Sequence, residues 1–362
     1  MQKPQPAGFL IAACPDQFSA YIYNMKKNAV LFSVIIFFAY CKSGKNAPDV
    51  SGINVNSKIE RFDKAFFALD TNNISRGLYQ LNQAFPYFTN DFVANILGAG
   101  PLSDTNQTAL VASRRFLSSY TPVKDSIELE FQQLGWLEKE LQLSLQYVKY
   151  YFPKYVLPPK IVTYIGPFDA PGVAMTRYTL AIGLQLYAGK DFSFYKSPQG
   201  QELYPLYISR RFEPEFITPN CMKAIAEDIY PDNSGNRPLI EQMIEKGKYW
   251  WVLDHFLPET SDSLKTGFTG KQLNWCKSNE GQIWNVFLQY DLFTIDPDLI
   301  KNFIGEAPNT QGMPDTSPGN IGQWVGWQIV KKYAENNPAV TPEQLLATKA
   351  RKIFEDSKYK PK

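Results

Sequence analysis

Lys160-Ile161-Val162-Thr163-Tyr164-Ile165-Gly166-Pro167, together with the run from Val173 to Tyr187, stands apart in a chain whose other segments carry helical spacing. β-Branched and aromatic side chains crowd both stretches and glycines stand at their joints, which is the pattern of strands separated by turns. The reading is two or three antiparallel strands.

On the N-terminal side, apolar residues recur at helical spacing from Ile74 to Leu97 (Leu78, Leu81, Phe85, Phe88, Phe92, Ile96), and Pro86 breaks the run into two short helices. From Ser126 to Tyr151, Leu129, Leu134, Leu137, Leu141, Leu145 and Val148 form one core-facing stripe that Phe152-Pro153 ends. On the C-terminal side the pattern is again helical, at about 203–211, 215–229, 238–256, 270–290, 319–336 and 342–356. Thr341-Pro342-Glu343-Gln344 is a capped start with proline in the first turn. No repeat of fixed period appears, which argues against a solenoid. The expected class is α+β: a predominantly α-helical single domain with a small antiparallel β-sheet inserted mid-chain.

The composition suits a globular protein, with 44% hydrophobic and 20% charged residues over 362 positions. Lys plus Arg (37) nearly cancel Asp plus Glu (35), and no long run of like charge is present, so nucleic acid is not an expected partner. Aromatic residues make up 15% of the chain, and large rings of this kind mostly fill helical cores.

Met25-Lys26-Lys27-Asn28 precedes an apolar run from Ala29 to Tyr40, broken only by Ser33, and then Cys41. This is the order of a signal peptide, too short for a span of about 20 apolar residues. Residues 1–24 form no signal pattern of their own and read as an over-extended start. Residues 25–40 read as a lipoprotein signal peptide and Cys41 as the lipidated residue, carrying diacylglycerol and acyl chains such as palmitate. Phe38-Ala39-Tyr40-Cys41 departs from the usual lipobox at Tyr40, where a small residue is the norm. Residues 41–57 read as a flexible polar tether, and 58–362 as the globular domain. Lys42-Ser43-Gly44 carries no acidic run, which favours a lipid-anchored position facing the periplasm.

His255 is the only histidine, so a zinc helix with two imidazoles one turn apart cannot be built. No Gly-x-Ser-x-Gly elbow offers a serine nucleophile to it either. Its place near a helix end suggests a bond to a main-chain carbonyl instead. Cys221 and Cys276 lie too far apart in sequence for a metal clip; they could pair in an oxidising periplasm, but two buried free thiols are the expectation. Carboxylate pairs could serve glycoside hydrolysis, but Glu213/Glu215 and Asp296/Asp298 flank prolines at helix starts, where acidic side chains are favoured by the dipole. No cofactor and no metal is expected.

Lys58-Ile59-Glu60-Arg61-Phe62-Asp63, the segment from Asp169 to Tyr195 with Tyr187-Ala188-Gly189-Lys190-Asp191, Met243-Ile244-Glu245-Lys246-Gly247-Lys248, Trp284, and the final block from Ser317 to Val330 and on to Pro361 resemble the gliding motility lipoprotein GldB family. The resemblance spans residues 58–362. It implies an envelope lipoprotein with an acylated cysteine at Cys41, supporting gliding by binding other cell-envelope gliding or secretion proteins without catalysis. The order of a small sheet, a helix and a later helix bearing Glu-x-Gly is also similar to zinc peptidases. In that layout Ala226 and Tyr230 occupy the positions that would need histidine, leaving a metallopeptidase-like scaffold without metal ligands and Glu227 with Glu245 as a relic cleft. The alternative is a carboxylate-dependent hydrolase, or a binding module, acting on envelope glycans or peptides. Trp324 and Trp327 are possible partner-binding residues if exposed, while Gly322 and Gly326, four residues apart, suit close helix packing, as does Gly247.

Overall fold

The sheet that organises the molecule has four strands in the order β1-β2-β4-β3: Ile59–Arg61 (β1), Lys160–Tyr164 (β2), Val173–Met175 (β3) and Thr179–Gly183 (β4). These belong to a computed structural model describing residues 47–102 and 107–361. The readings of residues 1–24, of the signal at 25–40 and of Cys41 lie outside the described residues.

The sheet is mixed, which corrects the antiparallel expectation. β1 runs parallel to β2 with Ile59 opposite Ile161, β2 runs parallel to β4 with Ile161 opposite Leu180, and only β3 pairs antiparallel, with Ala174 opposite Ala181. The reason is burial. Parallel strands are typically covered on both faces and read as unbroken apolar runs, and Ile161 to Tyr164 and all of β4 are buried. Alternation sorts them between two cores. Ile161, Leu180 and Ile182 enter the larger core, whereas Val162, Tyr164 and Ala181 enter a smaller one.

The smaller core is rich in phenylalanine. Phe62 and Phe66 from the helix Phe62–Phe67 (α1) pack with Leu78 and Leu81 of Ile74–Ala84 (α2), with Phe88 and Phe92, and with Phe116 of Gln107–Glu130 (α3). Asp63 is buried here, held by the Arg61 fork and by the Thr163 hydroxyl at 2.6 Å, while Arg61 also donates to the Phe131 carbonyl at 2.8 Å. That network ties β1 to β2 across 100 residues of sequence.

The single long stripe expected from Ser126 to Tyr151 is two helices, α3 and Gly135–Tyr151 (α4). Leu134, Leu137, Leu141, Leu145 and Val148 are buried as the spacing predicts, but Leu129 lies on the preceding helix and is 74% exposed. The turn between them lets Phe131 and Leu134 drop into the core. Residues 47–57, expected as tether, lie against the domain: Val50 is buried, Gln146 donates to the Ile53 carbonyl at 2.8 Å and Asn56 to that of Pro159 at 3.2 Å.

The larger core is built by α4, Ile217–Ile229 (α5), Leu239–Phe256 (α6), Gly270–Ser278 (α7), Glu280–Phe287 (α8), Pro297–Ile304 (α9), Ile321–Asn336 (α10), Pro342–Ala347 (α11) and Ala350–Ser357 (α12). Two expected long helices are each broken in two, at Asn279 and at Thr348-Lys349. α9, which the spacing did not suggest, begins where the Asp296 carboxylate caps the Asp298 N–H at 2.9 Å.

α6 and α10 touch main chain to main chain. A Cβ on Gly326 would sit 1.8 Å from the Met243 carbonyl oxygen, and one on Gly247 would sit 2.2 Å from the Gly326 carbonyl carbon. Both glycines therefore serve close packing, and Gly322 meets the Phe303 carbonyl in the same way. Cys221 and Cys276 are both free and buried.

Candidate functional site

A cleft of about 360 Å³ opens where the start of β3 faces α5. α5 is amphipathic, with Ile217, Cys221, Met222 and Ile225 in the larger core. Its next face carries Asn220, Lys223, Ala224 and Glu227, spaced three, four and seven residues from the first, and that face lines the cleft. Gly172 and Val173 form the opposite margin, and Leu186, Tyr187, Phe212, Phe216 and Trp250 supply apolar and aromatic wall.

The far wall is ionic. Arg211 grips Glu306 with both guanidinium nitrogens, at 3.2 and 3.1 Å, and the Asn320 amide donates to the same carboxylate at 3.3 Å. Asn320 reaches it from a left-handed backbone conformation, φ 45°, at the start of α10. Asn220 donates to the Tyr187 hydroxyl at 3.0 Å, and burial holds that phenol above its ordinary value. Lys223 and Glu227 stand on the rim with their charged ends exposed. The walls thus offer charge of both signs, amide and hydroxyl groups, and an apolar floor: an arrangement suited to binding a mixed polar and apolar ligand.

Glu227 and Glu245 do not share the cleft. Glu227 lines the cleft, but Glu245 is buried on α6 and accepts from Lys248 at 2.9 Å, with Arg237 at 3.4 Å. Burial pushes the Glu245 carboxyl up and the Lys248 ammonium down, each opposed by the charge of the other. Lys248, fully buried, also donates to the carbonyls of Leu346 and Thr348 at 3.0 and 2.7 Å, the joint between α11 and α12. Glu245 is the counter-charge of a structural clamp, so the relic cleft expected from these two glutamates does not form as a pair.

Trp324 and Trp327 are buried, at 1% and 0% exposure, and so do not form an exposed binding pair. The Trp327 indole donates to Asp254 at 3.1 Å, and Lys265 pairs with the same carboxylate and with Asp262 at 3.0 Å. His255 lies outside the cleft lining; its Nδ1 donates to the Trp251 carbonyl at 2.9 Å, the bond to main chain that its position suggested. Ala226 is buried in α5 and Tyr230 caps its end.

The sequence reading reached Glu227 but missed Arg211, Asn220, Lys223, Glu306 and Asn320. The legible signal was the polar stripe Asn220, Lys223, Glu227 beside the apolar face of Ile217, Cys221, Met222 and Ile225. The Arg211–Glu306 pair spans 95 residues and has no local signature.

No helix among the described residues is long and apolar enough to cross a membrane. No curated protein and no solved structure matches the chain. A family model described as gliding motility protein GldB, with a lipoprotein designation in its short name, matches residues 43–361, from just past Cys41 through both cores and every wall of the cleft. The chain therefore belongs to the GldB family of gliding motility proteins.

Proposed function

We propose that this chain is a lipid-anchored cell-envelope protein, tethered through Cys41 and facing the periplasm, that supports gliding by binding another envelope component rather than by catalysis. The observation that carries the reading is the family match over the whole described domain. The signal-like order of Lys26-Lys27, the apolar run and Cys41 supports the anchor, as does the family's lipoprotein designation. The sequence of sheet, α5 and α6 supports descent from a zinc-peptidase layout in which Ala226 and Tyr230 replace imidazoles. In that setting the cleft is a binding surface.

The carboxylate-hydrolase alternative is disfavoured by one specific arrangement. It would pair Glu227 with Glu245, and Glu245 is committed to Lys248. The other cleft carboxylate, Glu306, is committed to Arg211.

The test is genetic and chemical together. A deletion strain should lose colony spreading, and complementation with the native chain should restore it. Cys41→Ala should fail to incorporate a metabolic lipid label and fail to restore spreading. Normal spreading without the gene would end the gliding reading, and undiminished label in Cys41→Ala would end the anchor.

A further inference from the structure

A second pocket, of about 400 Å³, forms where α4, the start of α5 and the chain after α6 converge, and it shares only Leu264 with the cleft. α4 contributes Glu140, Leu143, Ser144 and Tyr147, spaced three, four and seven residues from the first and so on one helical face. Pro219, Phe256, Leu257 and Pro258 add apolar wall, and Glu215 and Glu259 join Glu140 as its charges. Among the described residues no lysine, arginine or histidine lines the pocket, and none of its three carboxylates has an ion pair. Glu140 accepts from the Thr218 hydroxyl at 2.8 Å, which joins α4 to α5 but leaves the charge unbalanced. Lys190, whose charge Glu215 feels, is itself paired with Glu213 at 2.7 Å. Tyr147 carries the second signal. It is only 7% exposed, yet its hydroxyl makes no hydrogen bond among the described residues, where a phenol so deeply placed is normally paired. Burial pushes this phenol up, and the charges of Glu259 and Asp49 push it the same way, so it stays protonated with its oxygen free to accept.

We propose that this pocket receives a lysine or arginine side chain presented by a partner protein, its alkyl stem against the apolar wall and its charged end among Glu140, Glu215, Glu259 and the Tyr147 hydroxyl. Charge selects this occupant. An anion would be repelled, and a neutral apolar group would take three carboxylates out of water with nothing to pair them. The carboxylates do not form a group that would hold a metal ion, so the cation that suits them is a broad organic one with several donors. Lysine and arginine alone among side chains join such a head to a long apolar stem, and the volume is at the low end for a small-molecule pocket, enough for one long side chain and its neighbours. The pocket lies apart from the cleft, so the proposal stands whether or not the cleft binds.

The probe is a displayed library of random linear peptides, selected on the full chain in detergent and counter-selected on a chain carrying both Glu215→Gln and Glu259→Gln. Both glutamates are exposed, so folding is not at stake. The surviving peptides are expected to carry a lysine or arginine beside apolar residues. Replacing that residue by norleucine, which keeps the stem and removes the charge, should weaken binding about tenfold or more, and the double glutamine chain should bind them about tenfold more weakly. Tyr147→Phe separates a binding role from a structural one: it should weaken the peptides about tenfold while leaving the urea midpoint of the free chain unchanged or higher, because the hydroxyl it removes has no partner in the fold. No survivors, survivors without a basic residue, undiminished binding by the norleucine peptide or by Tyr147→Phe, or a lowered midpoint in Tyr147→Phe would each overturn the proposal. Spermidine binding as tightly as the selected peptides would assign the pocket to free amines and overturn it as well. Purified-protein binding decides this inference and colony spreading decides the gliding reading, so the two fail separately.

Discussion

Gly326 and Cys276 show how much can turn on one atom. Alanine is the better helix former by about 1 kcal/mol, so Gly326→Ala would stabilise α10 if packing were neutral. Packing is far from neutral, because the added methyl would fall 1.8 Å from the Met243 carbonyl oxygen, on rigid backbone. Overpacking of this kind costs about 1–3 kcal/mol or more, and it outweighs propensity. Gly326→Ala is expected to destabilise the fold by a net ~1–2 kcal/mol, read as a lowered urea midpoint; an unchanged midpoint would mean that α6 and α10 do not approach this closely. Cys276 has a pH signature instead. Burial pushes its thiol from 9.0 up to about 12, and burial likewise raises Cys221. A group whose folded value is raised contributes stability that is whole below its unfolded value and is lost as pH climbs through the folded one. The stability gap between the native chain and Cys276→Ala should therefore narrow as pH rises from about 9 toward about 12. Thermal melts across that range read it, and a constant gap would refute it. Both thiols should also resist alkylation until the chain is unfolded, since the thiolate is the reactive form.

At the scale of elements, legibility followed locality. α11 could be read because its start is encoded in four adjacent residues, and the structure carries the complete capping box: Thr341 Oγ1 accepts from the Gln344 N–H at 3.2 Å and the Gln344 side chain accepts from the Thr341 N–H at 3.0 Å. Thr341→Ala should cost about 1 kcal/mol, read by denaturant unfolding, with Thr341→Asn losing much less; equal losses would assign the effect to the lost methyl rather than to the cap. Pro86 and the glycines of α6 and α10 were legible for the same reason. The sheet topology was not, because β1 is three residues long and pairs with β2 across about 100 residues, a partnership that no window of sequence contains. Leu129 misled because its spacing continues that of α4 while a turn at Phe131–Leu134 resets the phase. In the cleft, Glu227 could be found as one member of a polar stripe, whereas Glu245 and Lys248 have the spacing of an ordinary surface pair. Only the fold shows that Lys248 is buried against the Leu346 and Thr348 carbonyls.

At the scale of the whole molecule, the two cores share one wall. Successive residues of β2 and β4 alternate between them, so neither core can lose its packing without exposing a face of the strands that the other depends on. The Arg61–Asp63–Thr163 network reinforces the coupling from the N-terminal side. The chain carries its own reporter for this. None of its seven tryptophans belongs to the smaller core, which is formed by phenylalanine, tyrosine and aliphatic side chains. Tryptophan fluorescence therefore follows the larger core, while far-ultraviolet circular dichroism follows the helices around both. Leu78 of α2 is 1% exposed in the smaller core, and Leu78→Ala should destabilise by about 2–5 kcal/mol through lost burial and the cavity left behind. If the cores unfold as one, the fluorescence midpoint should fall by the same amount as the dichroism midpoint, although the substitution touches no tryptophan-bearing core. A fluorescence transition that stays at its native position while dichroism shifts would show the smaller core opening alone, and would place the two faces of the sheet in separate cooperative units.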